Sequence, residues 1–140
     1  MKITDNKISL YPLKKIHLEG GDILHALKES DPGYNKFGEV YFSEIKFNAI
    51  KAWKLHKSMT LNLVVPFGNV LFVFYMDDED SFIEVKIGEE NYQRLNVPPG
   101  IWFGFKGLNE SGSLIMNLAD MEHNPDELLR KSIDEFEYNW

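Results

Sequence analysis

The sequence contains no cysteine, which removes disulfides and thiolate metal sites while leaving the compartment open. It has no apolar run long enough to span a bilayer, and its first residues, Met1-Lys2-Ile3-Thr4-Asp5-Asn6-Lys7, hold no apolar signal core. The cytosol is therefore the expected location. A phosphate-binding glycine loop is missing, Gly20-Gly21 being only a dipeptide, and there is no G-x-S-x-G. No pair among the four histidines has strand or helix spacing suited to a metal. Positive charge is in deficit: 15 Lys and Arg against 22 Asp and Glu give a formal net charge of −7. That balance argues against general binding to nucleic acid or to an anionic membrane. Linker-like stretches and repeats are absent too, so the 140 residues read as one domain, 1–140.

What the chain does have is a series of short apolar runs between turn residues. Residues 39–47, 49–57, 60–66, 69–77, 81–87, 93–97, 101–106 and 113–119 are rich in β-branched and aromatic side chains, which favours strands over helices at these lengths. Phe67-Gly68 and Pro98-Pro99-Gly100 supply turns, and Asp77-Asp78-Glu79-Asp80 reads as a solvated hairpin loop. Seven or eight such strands predict an all-β sandwich, jelly roll or barrel. Two segments have helical character. Residues 22–29 begin on Asp22 as a cap. Residues 124–131 begin on Asn124-Pro125, a favoured cap and first position.

The clearest local anomaly is Lys46 to Lys57, with Lys46, Lys51, Lys54, Lys57 and His56 and no acid in an otherwise acidic protein. Strict alternation puts Ile50, Ala52, Lys54 and His56 on one face and Lys51, Trp53, Leu55 and Lys57 on the other. Two readings fit: a phosphorylated ligand beside His56, or a solvated edge strand guarded by lysine. His17, His25 and His123 read as surface residues. Tyr41, Trp53, Tyr92 and Trp102 are either core aromatics or platforms that stack on a base or sugar.

The run from Glu90-Asn91 through Val97-Pro98-Pro99-Gly100 to Ile101-Trp102-Phe103-Gly104-Phe105 resembles a signature of the dTDP-4-dehydrorhamnose 3,5-epimerases. Trp53-Lys54-Leu55-His56 sits where that family has R-G-L-H, Gly68 falls at its turn glycine, and Asn124-Pro125-Asp126-Glu127 resembles its P-x-x-E segment. The resemblance runs from about Gly21 to Glu127. It implies a cupin or jelly-roll β-barrel with short peripheral helices, no metal and no cofactor, and His56 as catalytic base. It also implies a homodimer, in which segment 7–19 adds to a partner's sheet.

The departures are specific. The histidine of the family's A-H-G-F is Phe103 here, and its lysine falls at Thr60 or Leu61. Its acid tyrosine falls at Met121 to His123, so His123 is the candidate stand-in. The carboxylate partner of the base belongs to a C-terminal part missing from this shorter chain. Candidate substrate-binding residues are Tyr41, Lys51, Trp53, Lys54, Lys57, Asn62 and Trp102. The expected activity is epimerisation of a nucleotide-linked keto sugar for surface polysaccharide or glycan precursors. Binding of such a sugar without turnover is the second reading, and a scaffold protein the third.

Overall fold

The structure, a computed structural model, describes residues 8–140. It is nearly all β. Twelve strands follow in order: β1 (Ser9–Pro12), β2 (Lys15–Ile16), β3 (Ile23–Leu24), β4 (Glu39–Ile45), β5 (Ile50–His56), β6 (Leu61–Phe67), β7 (Asn69–Met76), β8 (Ser81–Gly88), β9 (Gln93–Val97), β10 (Trp102–Gly107), β11 (Ser113–Ala119) and β12 (Leu128–Arg130). One five-stranded sheet has the order β1-β9-β6-β11-β4, the other β12-β5-β10-β7-β8, and β2 pairs with β3. The eight strands β4 to β11 thus divide between two antiparallel sheets, β4-β11-β6-β9 and β5-β10-β7-β8, in the order of a jelly roll. The sheets face each other as a sandwich, and their hydrogen bonding does not join them into a closed ring.

Both the sequence-expected helices shrink. The 22–29 segment carries β3 and then irregular chain, with Asp22 spent on the His17 ring and the Leu18 amide. In the 124–131 segment, Asn124 caps a single helical turn, Pro125–Glu127, before β12 begins. A second such turn spans Ile133–Glu135. Residue 7 lies outside the described residues. The rest of the N-terminal segment joins its own chain: Ser9 to Pro12 pair with Asn96 to Gln93. Among the described residues no helix is long and apolar enough to cross a membrane.

The interior follows from alternation. In β11, Ser113, Ile115, Asn117 and Ala119 are buried and their neighbours less so. Leu61, Leu63 and Val65 from β6 meet Phe72, Phe74 and Met76 from β7 and Phe103 and Phe105 from β10. The chain crosses from β6 in one sheet to β7 in the other at Gly68, φ 83°, and a Cβ there would collide with the Ser113 hydroxyl, so only glycine serves.

In β5 the alternation breaks. Phe103 pairs with Lys54, but Phe105 pairs with Lys51, so three steps on β5 match two on β10: one extra residue, a bulge. Cross-strand partners share a face, and Lys51 therefore joins Lys54 on the inner side. Ala52 and Trp53 go outward, which corrects the strict two-face reading of this strand.

Trp53 is 1% exposed because the C-terminal segment covers it: Phe136 and Trp140 stand with ring centres 5.2 Å away, and Tyr138 at 6.3 Å. Its indole N–H donates to the Ile133 carbonyl. Trp53→Ala is expected to cost about 3–5 kcal/mol in urea unfolding, as for other large aromatic truncations in a packed site. A cost near zero would mean the aromatic cover does not hold in solution.

Candidate active site

His56 ends β5, and three sequence features put it there. The Pro98-Pro99-Gly100 turn ties back to it, the Gly100 amide donating to the His56 carbonyl at 2.8 Å. β12 pairs along β5 with Leu128 opposite His56. The capped turn Pro125–Glu127, just before β12, delivers the Glu127 side chain beside the ring.

The outcome is a buried dyad. His56 Nδ1 lies 2.5 Å from Glu127 Oε1, with both residues 5% exposed. Glu127 Oε2 accepts from the amides of Ser58 (3.1 Å) and Met59 (3.3 Å). Burial works to raise the Glu127 carboxyl, but the His56 ring and the two amides outweigh it and hold it below its ordinary value. Burial pushes His56 below its ordinary value, against the pull of Glu127. A charged carboxylate beside a neutral ring fixes the tautomer: Nδ1 carries the hydrogen and donates it to Glu127. Nε2 is then a bare acceptor, and among the described residues it is buried without a partner.

The ring lines a cavity of about 20 Å³ between the sheets, together with Tyr41, Ser43, Lys54, Leu61, Leu63, Phe72, Phe103, Phe105, Ile115 and Asn117. That is room for about one water. Lys54 also borders a 250 Å³ cleft with Ile50, Lys51, Ala52, Trp53 and Arg130. Lys51 in turn borders a 560 Å³ cleft with Glu44, Lys46, Phe67 and Ser113. Burial, then the charges of Arg130 and Lys51, lower the Lys54 pKa. Arg130 sits directly opposite Lys54 across the β12–β5 pair.

Of the residues singled out from sequence, the fold brings His56, Tyr41 and Lys54 to this cavity and Lys51 to the adjoining clefts. Trp53 and Trp102 lie on the outer face of their sheet, under the C-terminal segment, where Lys131 stands 4.9 Å from the Trp102 ring centre. Lys57 is exposed, its amide bound to the Glu127 carbonyl. Asn62 is buried, but its side chain is used up by Arg94, Asn96 and the Gly33 carbonyl. His123 is exposed, close enough to His56 for its charge to be felt, and outside the cavity wall.

Phe103, at the position of the family's second histidine, packs between His56 and Phe74. Thr60 and Leu61 bring no cation. The expectation that the base has no carboxylate partner is overturned by Glu127. The sequence pointed to Glu127 only through the P-x-x-E likeness, and to Arg130 not at all.

No family model matches the chain. Among curated proteins it is 33% identical over 97 residues to the probable low-salt glycan biosynthesis epimerase Agl13 of Haloferax volcanii, a match that spans 62% of each chain and so less than two thirds of that relative. It is 25% identical to the spore coat polysaccharide biosynthesis protein SpsL of Bacillus subtilis, over 95% of this chain and 94% of that one. Among solved structures, the dTDP-4-dehydrorhamnose 3,5-epimerase from Sulfolobus tokodaii shares the fold, with TM-score 0.84 and 19% identity over 99% of this chain and 84% of that one. The dTDP sugar isomerase from Desulfovibrio desulfuricans G20 superposes with TM-score 0.91 at 34% identity, covering 96% of this chain and 91% of that one. With that identity along almost its whole length, and with the fold of the 3,5-epimerases, the chain belongs to the family of dTDP-sugar isomerases and dTDP-4-dehydrorhamnose 3,5-epimerases.

Proposed function

We propose that the protein epimerises or isomerises a dTDP-4-keto-6-deoxyhexose for glycan or polysaccharide precursor synthesis, with His56 as the base. One observation carries this reading: an imidazole oriented by Glu127, with its Nε2 buried and, among the described residues, unpartnered at a cavity wall. In the reaction, Nε2 takes the proton from a carbon beside the ketone. The C–H electrons form the enolate double bond, and the carbonyl electrons move onto oxygen. The Lys54 ammonium, in the same cavity, stabilises that oxygen. Lys51 and Arg130 flank the approach, where a diphosphate carries matching charge. The cavity holds only about one water, so the side chains that line it shift when the sugar enters.

The test is incubation with dTDP-4-keto-6-deoxyglucose and related keto sugars, read by NMR. The reading expects a new epimer or ketoisomer; unchanged sugars throughout, at high protein concentration, reject it. Arg130→Met is expected to weaken dTDP-sugar binding by about 10–100-fold in calorimetry, the worth of one charge-assisted contact. Unchanged affinity would move the diphosphate elsewhere.

A second reading, binding without turnover, is favoured by Phe103 and by the missing lysine at Thr60 or Leu61. It expects calorimetric binding of the same sugars with no product. Turnover that depends on His56 ends it.

A further inference from the structure

Among the described residues no carboxylate pairs with the Lys54 ammonium. The charges that bear on it are those of two cations, Arg130 directly opposite in the β12–β5 pair and Lys51. A lysine so repelled is free, on its four-carbon stem, to turn to solvent, yet Lys54 lines the cavity beside His56. Resting on the function proposed above, we propose that Phe103 is a positioning residue: its ring face holds the Lys54 ammonium in the cavity, where the enolate oxygen forms.

Phe103 is paired with Lys54 across β10 and β5, and residues so paired share a face, with Cβ atoms about 5 Å apart. Lys54 Nζ lies over the Phe103 ring, 5.8 Å from its centre, within the range of a cation–π contact. The ring has no room to turn away. It is 2% exposed and stacks between His56 and Phe74, with ring centres 6.3 and 5.9 Å from its own. The same side chain thus touches both the base and the cation and sets the place of one relative to the other. Two departures from the family motifs meet in this pair: Lys54 stands at the glycine of R-G-L-H, and Phe103 at the histidine of A-H-G-F. The attraction of a ring face is for charge, so it favours the ammonium over the neutral amine. Burial and the charges of Arg130 and Lys51 work the other way on Lys54. An aliphatic side chain at 103 fills the core but offers no such face. The ammonium is then free to turn into the 250 Å³ cleft that Lys54 also borders, away from the oxygen it has to stabilise.

The experiment uses the full chain and dTDP-4-keto-6-deoxyglucose, with turnover read by NMR. Phe103→Leu is expected to lower kcat by about 10-fold or more, part of the hundred- to thousand-fold that a donor to a developing oxyanion supplies. KM is expected to stay within about threefold, because the diphosphate contacts are untouched. A double-mutant cycle separates positioning from packing. With Lys54→Met already present, Phe103→Leu is expected to change kcat by no more than about twofold, since there is no ammonium left to aim. A second measurement needs no variant: in the unaltered protein, the hydrogens on Lys54 Cε are expected upfield of free lysine, shifted by the ring current of Phe103. Unchanged kcat in Phe103→Leu, an equal loss in the Lys54→Met background, or a Lys54 signal at the free-lysine position overturns the assignment and leaves the base standing. An unaltered protein that converts no keto sugar overturns the functional reading, and this inference with it.

Discussion

His56→Ala is expected to lower kcat/KM by about a hundred to ten thousand-fold, the worth of a positioned general base. The loss is expected in hydrogen exchange as well as in product, since the first proton transfer is the step removed. His56→Gln serves as a folding control, because its amide still donates to Glu127 and leaves no buried carboxylate unpaired. Both variants are expected to be folded and inactive. The pH profile carries a matching expectation. Burial depresses the His56 pKa, so the neutral, base-competent ring persists to lower pH than an ordinary histidine. The acid limb of kcat/KM then lies below the usual histidine value. A variant at position 56 that keeps full turnover would remove the proposed base.

Glu127→Gln is expected to be nearly as damaging, although it changes one atom. The amides of Ser58 and Met59 point at Oε2, so a glutamine oxygen turns to accept them. Its NH₂ then faces His56 Nδ1, which must become the acceptor. The ring hydrogen is forced onto Nε2, and the base loses the lone pair it needs. A comparable wrong-tautomer effect in serine proteases costs about ten thousand-fold, and a loss of about a hundred to ten thousand-fold is expected here. Because Glu127 supports the protonated ring, the variant's His56 is also expected to titrate lower than in the unaltered protein. Full activity in Glu127→Gln would show that the carboxylate does not set the ring's hydrogen.

Much of this architecture was legible because its cause is local. Residues 93–97 and 113–119 match β9 and β11 end to end, and the other six central strands agree within a residue or two, since alternation and turn glycines act over a few residues. The terminal strands were not legible. β1 and β12 are short, and they exist because a long-range partner is present: β9 for β1, β5 for β12. The helical reading of 22–29 failed because Ile23–Leu24 pair with the nearby Lys15–Ile16 and Asp22 turns back to His17 and Leu18.

In the site, the cationic run around His56 was visible, but the bulge at Ala52–Trp53 was not. One extra residue moved Lys51 inward and Trp53 outward, and a period-two pattern has no way to signal that. Glu127 was hidden by distance, 71 residues from His56. Only a cap, a single helical turn and a three-residue strand bring it into contact. Asn62 looked like a candidate ligand and instead holds Arg94 and the Gly33 loop, a role that no pattern in β6 announces.

The dyad itself is open to direct observation by long-range ¹H–¹⁵N NMR of the His56 ring across a pH titration. The account predicts a ring with hydrogen on Nδ1 and a bare Nε2 at pH 7, which takes up its proton only below the ordinary histidine pKa. A ring that carries its hydrogen on Nε2, or that is already doubly protonated at pH 7, would contradict it.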